Sequence, residues 1–491
     1  MLYHSTRDHK NLVTGTCAIL QGIAPDGGLY VPESGKLPQV DYRAICDLPT
    51  REMSAALMRT MLPEFSAEEM KQLVDNAYCG RFETEDLTPV VPVGEHYVLE
   101  LFRGPTSAFK DVALCMLPQL VTASRAYQNV QDEIVILTAT SGDTGKAALE
   151  GFHDVPGTKI VVFFPNEGVS KVQQAQMTTQ QGNNVKVCAI RGNFDDAQTG
   201  VKNTFAACAE QGLLDGRKVR LSSANSINIG RLLPQTVYYF KAYGDVVRSG
   251  RIAWGEPLDY VVPTGNFGNI LAGYLAKQMG LPVGRLICAS NDNDVLTEFL
   301  RTGRYDRNRP FHKTISPSMD ILVSSNLERL LYLTEKDTAL VAGLMDQLKV
   351  QGWYQIPEAM QKTIEADFWA GCCNEEQTKE TIGRVFRESG YLMDTHTAVA
   401  WNVAEQYRAA GGSRPMVILS TASPYKFPDS VLEAIGSTPA EDEFDTMERL
   451  AEQSKMPIPE GLAGLRDREV LHRDVIGKDE ILQYVLSYIA E

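Results

Sequence analysis

The run GPTSAFKDVALCMLPQLV, residues 104–121, offers one lysine, Lys110, a few positions after Thr106 and Ser107. Either hydroxyl is placed to cap a helix whose apolar positions include Val112, Leu114 and Leu117. Lys110 then falls in the first turn, where the helix dipole disfavours a cation. For a solvated lysine that is a small cost. For a lysine that must act as a nucleophile it is useful, because a depressed pKa leaves more neutral amine. Viewed alone, the solvated lysine is the commoner case.

Two strand–glycine loop–helix passages could receive an anion. TATSGDTGKAA at 138–148 presents backbone N–H groups and a helix N-terminus. Gly145-Lys146 invites a P-loop reading, but that motif needs Gly at 140 and Ser or Thr at 147, where Thr140 and Ala147 stand. Nucleotide hydrolysis is therefore not expected. Ser141, Asp143 and Thr144 supply more donors and acceptors than a simple turn requires. In PTGNFGNILAGYLAKQMG, Gly265 and Gly268 clear space for close approach to the backbone, and Asn266 and Asn269 add donors. The pattern is not G-x-G-x-x-G, so it does not support a dinucleotide site. An unliganded turn would read much the same.

NSINIGRLLPQ lets Asn225 cap a helix with Asn228 and Arg231 on neighbouring parts of one face. A guanidinium among amides suits a phosphate or a carboxylate, although a surface arginine on a capped helix fits equally. VILSTASPYKFP is an apolar strand ending in Ser420-Thr421, the place where α/β enzymes carry functional hydroxyls, and Lys426 could add a cation near a cleft. The seven histidines are dispersed without ligand spacing, so no metal site is expected. There is no G-x-S-x-G elbow of the serine hydrolases.

These residues must be positioned by several bodies, because 491 residues exceed one hydrophobic core. Residues 1–30 read as irregular up to a turn at 25–28, and apolar residues from 41 to 78 recur at helical spacing. From 134 the pattern alternates. EIVILTAT, KIVVFFP, NVKVCAI and KVRLSSA are continuous apolar strands each followed by a helix, which predicts a buried parallel sheet. YVVPTG, GRLICAS and MVILST begin a second set, and a cleft between two such domains is the usual ligand position. After about 432 the chain is acidic and helical in pattern. No role is legible for 335–390, with its adjacent Cys372 and Cys373, or for Lys146.

Hydrophobic residues make up 44% and charged residues 22%, an ordinary globular balance. The net charge of −15 disfavours nucleic acid and anionic membrane as partners. It also means that an anionic ligand would need local cations. Nine unpatterned cysteines fit reduced thiols, MLYHSTRDHK has no apolar signal core, and the longest apolar runs are strand-sized. A cytoplasmic protein is expected.

Taken together and in this order, the motifs resemble those of the threonine synthase family, of the bacterial and fungal type. Tyr3-His4-Ser5-Thr6-Arg7 and APDGGLYVP at 24–32 resemble its N-terminal opening, followed by GPTSAFKD, SGDTG, NSINIGR, PTGNFGN and STASPYKF. The likeness covers nearly the whole chain. It implies a fold-type II pyridoxal-phosphate enzyme, tryptophan synthase β-like: two parallel-sheet α/β domains plus a helical N-terminal domain. The expected division is 1–90 for the N-terminal domain, 91–430 for the catalytic region with a smaller subdomain at about 130–225, and 431–491 for a helical C-terminal segment.

The resemblance further implies that Lys110 binds pyridoxal 5′-phosphate and acts as general base. Gly265, Asn266, Phe267, Gly268 and Asn269 would cradle the cofactor phosphate. Ser141, Asp143 and Thr144 would face the cofactor's 3′ oxygen and the substrate carboxylate, and Thr421 would lie at the ring nitrogen. Asn225, Ser226 and Arg231 would hold the phosphate of O-phosphohomoserine, in a monomer or a dimer. The rival expectations are a serine/threonine dehydratase or β-replacement synthase of the same fold, and a non-catalytic relative that binds the cofactor.

Overall fold

A computed structural model describes residues 1–167 and 169–490. Residues 1–32 are not irregular. Leu2–Ser5, Val13–Thr14 and Tyr30–Pro32 form a three-stranded antiparallel sheet, with Leu2–Ser5 in the middle and the helix Gly15–Gln21 beside it. Strands of two to four residues are too short to show an alternation, so no pattern betrays them. The helices Thr50–Met61 and Ala67–Tyr78 follow as their spacing predicts. They bury Met53, Leu57 and Met61 on one, and Met70, Val74 and Ala77 on the other. Ser66 and Glu69 close a capping box at the second.

The smaller α/β layer contains the four expected strands, all parallel: Val185–Arg191, Thr158–Pro165, Glu133–Ala139 and Val219–Ser223, in that spatial order. Side chains alternate between its faces. Ile134, Ile136, Ile160 and Val162 point into the main core. Val135, Leu137, Val161 and Phe163 point into a second core, closed by Ala197, Val201, Ile481 and Val485. The C-terminal stretch departs from the helical expectation here. It has the helices Glu443–Ser454 and Ile481–Ala490, but Asp474–Gly477 adds a fifth parallel strand beside Val185–Arg191. Four half-solvated edge residues carry no apolar run, which hid this strand.

The larger sheet has the order Phe368–Cys372, Val283–Ser290, Leu258–Pro263, Met416–Ser420, His96–Glu100 and Val90–Val93. Its first five strands are parallel and the last is antiparallel. Three motifs leave the C-terminal ends of strands: the loop after Glu133–Ala139, the loop after Leu258–Pro263, and Thr421 after Met416–Ser420. That is where open parallel sheets bind ligands. No helix among the described residues is long and apolar enough to cross a membrane.

Candidate active site

Lys110 is the first residue of the helix Lys110–Tyr127, but neither Thr106 nor Ser107 caps it. Phe109 takes the capping position without a side-chain bond. Asp111 reaches back instead, accepting from the Thr106 N–H at 2.8 Å and its hydroxyl at 2.5 Å. Burial lifts the Asp111 pKa to about 6, with those two bonds opposing. Ser107 adopts φ 58°, and the loop is clipped to the strand end by Phe109 N–H to Thr421 O at 2.8 Å and Ser423 N–H to Ser107 O at 3.0 Å. A strained loop thus sets Lys110 beside Thr421.

Lys110 is 8% exposed. Its Nζ donates to Ser318 Oγ at 3.2 Å and stands 3.5 Å from Asp143 Oδ2. Burial lowers its pKa below the ordinary lysine value, Asp143 opposes this, and Lys426 and Arg231 push the same way as burial. Asp143 opens the helix Asp143–Phe152. Its other oxygen accepts from Lys426 at 2.6 Å and Gln173 at 2.8 Å. Burial would raise its pKa, but the two lysines outweigh it and hold Asp143 well below the carboxylate range. Ser141 and Thr144 flank it, half-buried. Gly142 is required: its φ is 141°, and a Cβ would meet the Gln173 amide at 2.5 Å.

The loop 264–268 enters the helix Gly268–Gln278 through Phe267, buried at φ 62° against Phe368. A Cβ on Gly265 would lie 2.4 Å from the Ser318 carbonyl, so this loop and the Ser318 turn are in backbone contact. Asn266 is held by Asn326, whose N–H and side-chain amide both donate to its carbonyl. Asn269 is buried, with its oxygen accepting from Tyr238 and Tyr239. Its Nδ2 has no partner among the described residues.

In NSINIGR the cap is Asn228, not Asn225. Asn228 accepts from Gly230 N–H and donates to Ile19 O at 2.9 Å, which ties the segment to the N-terminal domain. Asn225 and Ser226 lie half-buried before the helix Ile229–Leu232. Arg231 is 3% exposed and donates through Nη1 to Ala224 O, while its Nε has no partner among the described residues. Burial pushes its pKa down to about 10. Ser226 Cβ lies 3.6 Å from where a Gly268 side chain would begin, so this segment abuts the 265–269 loop. A guanidinium N–H and a side-chain amide, both unpartnered among the described residues, thus lie in adjoining segments.

Family models match most of the chain. "Threonine synthase N terminus" matches residues 2–78, "Pyridoxal-phosphate dependent enzyme" 85–350 and "Threonine synthase, C-terminal" 397–481. The threonine synthase of Pseudomonas aeruginosa is 42% identical over 450 residues, covering 90% of this chain and 92% of that protein. The chain belongs to the threonine synthase family. The PLP-bound threonine synthase of Brucella melitensis is 39% identical with a TM-score of 0.87, covering 100% of this chain and 98% of that one. Human threonine synthase-like 1 is 40% identical over 435 residues, and this chain spans 57% of its length.

As a threonine synthase family member, the chain has the fold-type II architecture of pyridoxal-phosphate-dependent enzymes. The residues present fit that cofactor: a buried amine of lowered pKa, a glycine loop at a helix N-terminus, and an orphaned amide at Asn269. No group of three or more possible metal-binding side chains exists among the described residues.

Several site residues escaped the sequence. Ser318 donates its backbone N–H to His396 Nε2 at 3.1 Å, and His396 Nδ1 bonds Asp394 at 2.7 Å. The donor at Nε2 fixes the ring proton on Nδ1. Arg329, 1% exposed, joins Tyr30 O, Ile227 O and the Asn326 side chain, and so braces both loops. Burial takes its pKa to about 9. A charged residue inside LERLLYL was the available signal. Lys146 pairs with Glu150 and Gln180 on its own side of the small domain, which accounts for it structurally.

Proposed function

We propose that this chain converts O-phosphohomoserine and water into threonine and phosphate. The observation that carries the reading is Arg231, a buried guanidinium with an unpartnered Nε. A cofactor phosphate seated at the 265–269 loop would leave Arg231, with Asn225 and Ser226, free for a second phosphate, that of the substrate. A lyase acting on unphosphorylated serine has no use for it.

Pyridoxal phosphate supplies an electron sink that acidifies the Cα–H of a bound amino acid. Lys110 would hold the cofactor covalently, Asn266 and Asn269 would donate to its phosphate with Gly265, Phe267 and Gly268 giving the backbone, and Thr421 would lie at the ring nitrogen. Lys110 Nζ, displaced by substrate and with its pKa lowered by burial, would take the Cα proton. Ser141, Asp143 and Thr144 would orient the substrate carboxylate and the cofactor's 3′ oxygen. Arg231 would hold the phosphate as it leaves Cγ, before water adds at Cβ. The charge puzzle of a −15 chain is met locally, since Lys426, Arg231 and Arg329 are buried cations in or beside this site. Nine free cysteines support a reducing, cytoplasmic setting.

Arg231→Ala removes a charge-assisted donor worth roughly 2–4 kcal/mol in a dry site. It should lower kcat/KM for O-phosphohomoserine by about one to three powers of ten, with cofactor retention nearly unchanged. Arg231→Lys should recover part of the loss, because a point charge cannot make a two-pronged contact. Loss of cofactor with normal kinetics in the remaining holoenzyme would exchange the two phosphate sites and remove the case for a phosphorylated substrate.

A further inference from the structure

Lys426 sits in the turn Pro424–Lys426 just past the strand that ends at Ser420, and it is 0% exposed. Its Nζ has two acceptors: Asp143 Oδ1 at 2.6 Å and Thr106 O at 3.1 Å. The other oxygen of the same carboxylate is 3.5 Å from Lys110 Nζ. One buried anion is therefore shared by two lysines, and the nearer is not the one that must react.

That arrangement resolves a conflict. A buried carboxylate beside Lys110 alone would favour the ammonium form of Lys110, the form that can neither capture an aldehyde nor take a proton. We infer that Lys426 is a positioning residue whose ammonium balances Asp143 and so leaves the Lys110 amine free to be neutral. The groups facing that amine come from four further elements: Asp143, Lys426, Arg231 and the Ser318 hydroxyl. The Phe109 ring lies 5.2 Å away. Lys426 is faced by Asp143, the Thr106 carbonyl and, at longer range, Asp111. Asp143 is faced by both lysines and by Gln173. With Lys426 charged, Lys110 sees two cations and one anion. Without it, one of each remains, and the anion is the closer-held.

The inference rests on Lys110 being the cofactor lysine, but not on the substrate. The test is the rate at which full-length apoprotein captures pyridoxal phosphate, followed by visible absorbance across pH, with borohydride fixation and peptide mapping to identify the lysine. Lys426→Met should raise the pH midpoint of capture by about one unit, which is roughly tenfold slower capture on the acid side. Lys426→Arg, and the charge-balanced pair Asp143→Asn with Lys426→Met, should stay near the parent midpoint. Asp143→Asn alone leaves Lys426 unopposed and should lower it. A purely structural ion pair would alter thermal stability and leave these midpoints together. An unmoved midpoint in Lys426→Met overturns the inference. If that variant does not fold, an unmoved midpoint in Asp143→Asn overturns it. Fixation at a lysine other than Lys110 would sink the cofactor assignment itself.

Discussion

At the residue scale, Asp143 makes stability sensitive to acid. Its folded pKa is depressed, so the stability it contributes is complete above the ordinary carboxylate pKa, about 4, and is lost as pH falls below it. Asp143→Asn should lower Tm near neutrality and flatten its decline on the acid side, as a melting series from pH 3 to 8 would show. A parallel decline in both proteins would assign the acid sensitivity to other groups. Lys110→Ala should abolish turnover and the visible absorbance while leaving the circular dichroism spectrum intact. A helix's first residue makes little of its core, and here Val112, Leu114 and Leu117 bury the apolar face. Lys110 was legible because its neighbours form a selective motif. Ser318 was not, because it reaches the amine from 208 residues away and nothing around it in sequence marks the contact.

At the element scale, the two glycines of the 264–268 loop should behave differently. Gly265→Ala forces a Cβ to within 2.4 Å of the Ser318 carbonyl, a backbone atom that cannot rotate away. It should cost roughly 1–3 kcal/mol of stability in denaturant unfolding as well as cofactor affinity. At Gly268 the nearest neighbour of a Cβ is the Asn326 amide at 3.4 Å, a side-chain atom. Gly268→Val should therefore weaken cofactor binding, read by equilibrium titration, with a smaller change in stability. If both variants lost stability equally, the steric distinction would fail. The parallel strands and the glycine turns were readable because buried strands write continuous apolar runs. The caps were not. Asn225 and Asn228 are both good capping residues, and the choice is made by Ile19, whose carbonyl engages the Asn228 amide. Thr106 was drawn away from its expected cap by Asp111.

At the scale of the whole molecule, the chain returns on itself. Thr6 and Arg7, just after the strand Leu2–Ser5, bind Glu328, the neighbour of Arg329, so this segment braces the loops of the candidate site. The last residues close the smaller sheet: Ile481, Val485 and Tyr488 cover the face made by Val135, Leu137, Val161 and Phe163. Val485→Ala should cost about 2 kcal/mol by urea unfolding, and the loss should appear in hydrogen exchange first on Glu133–Ala139 and Thr158–Pro165. Protection lost first in the larger sheet would mean that the helix Ile481–Ala490 acts elsewhere. The same closure sets an order of events on the ribosome. The strands through Ser223 emerge long before the residues that cover them. At roughly 5–20 residues per second, the interval is on the order of 10–50 s. Throughout it, the part of the valine, leucine and phenylalanine face that Ile481 and Val485 will cover stands open on a nascent chain, beside an unpaired edge at Val185–Arg191 that Asp474–Gly477 will occupy. The smaller domain therefore completes its packing only once Ile481–Ala490 is made, and for that interval it presents to a chaperone a surface that the folded domain hides.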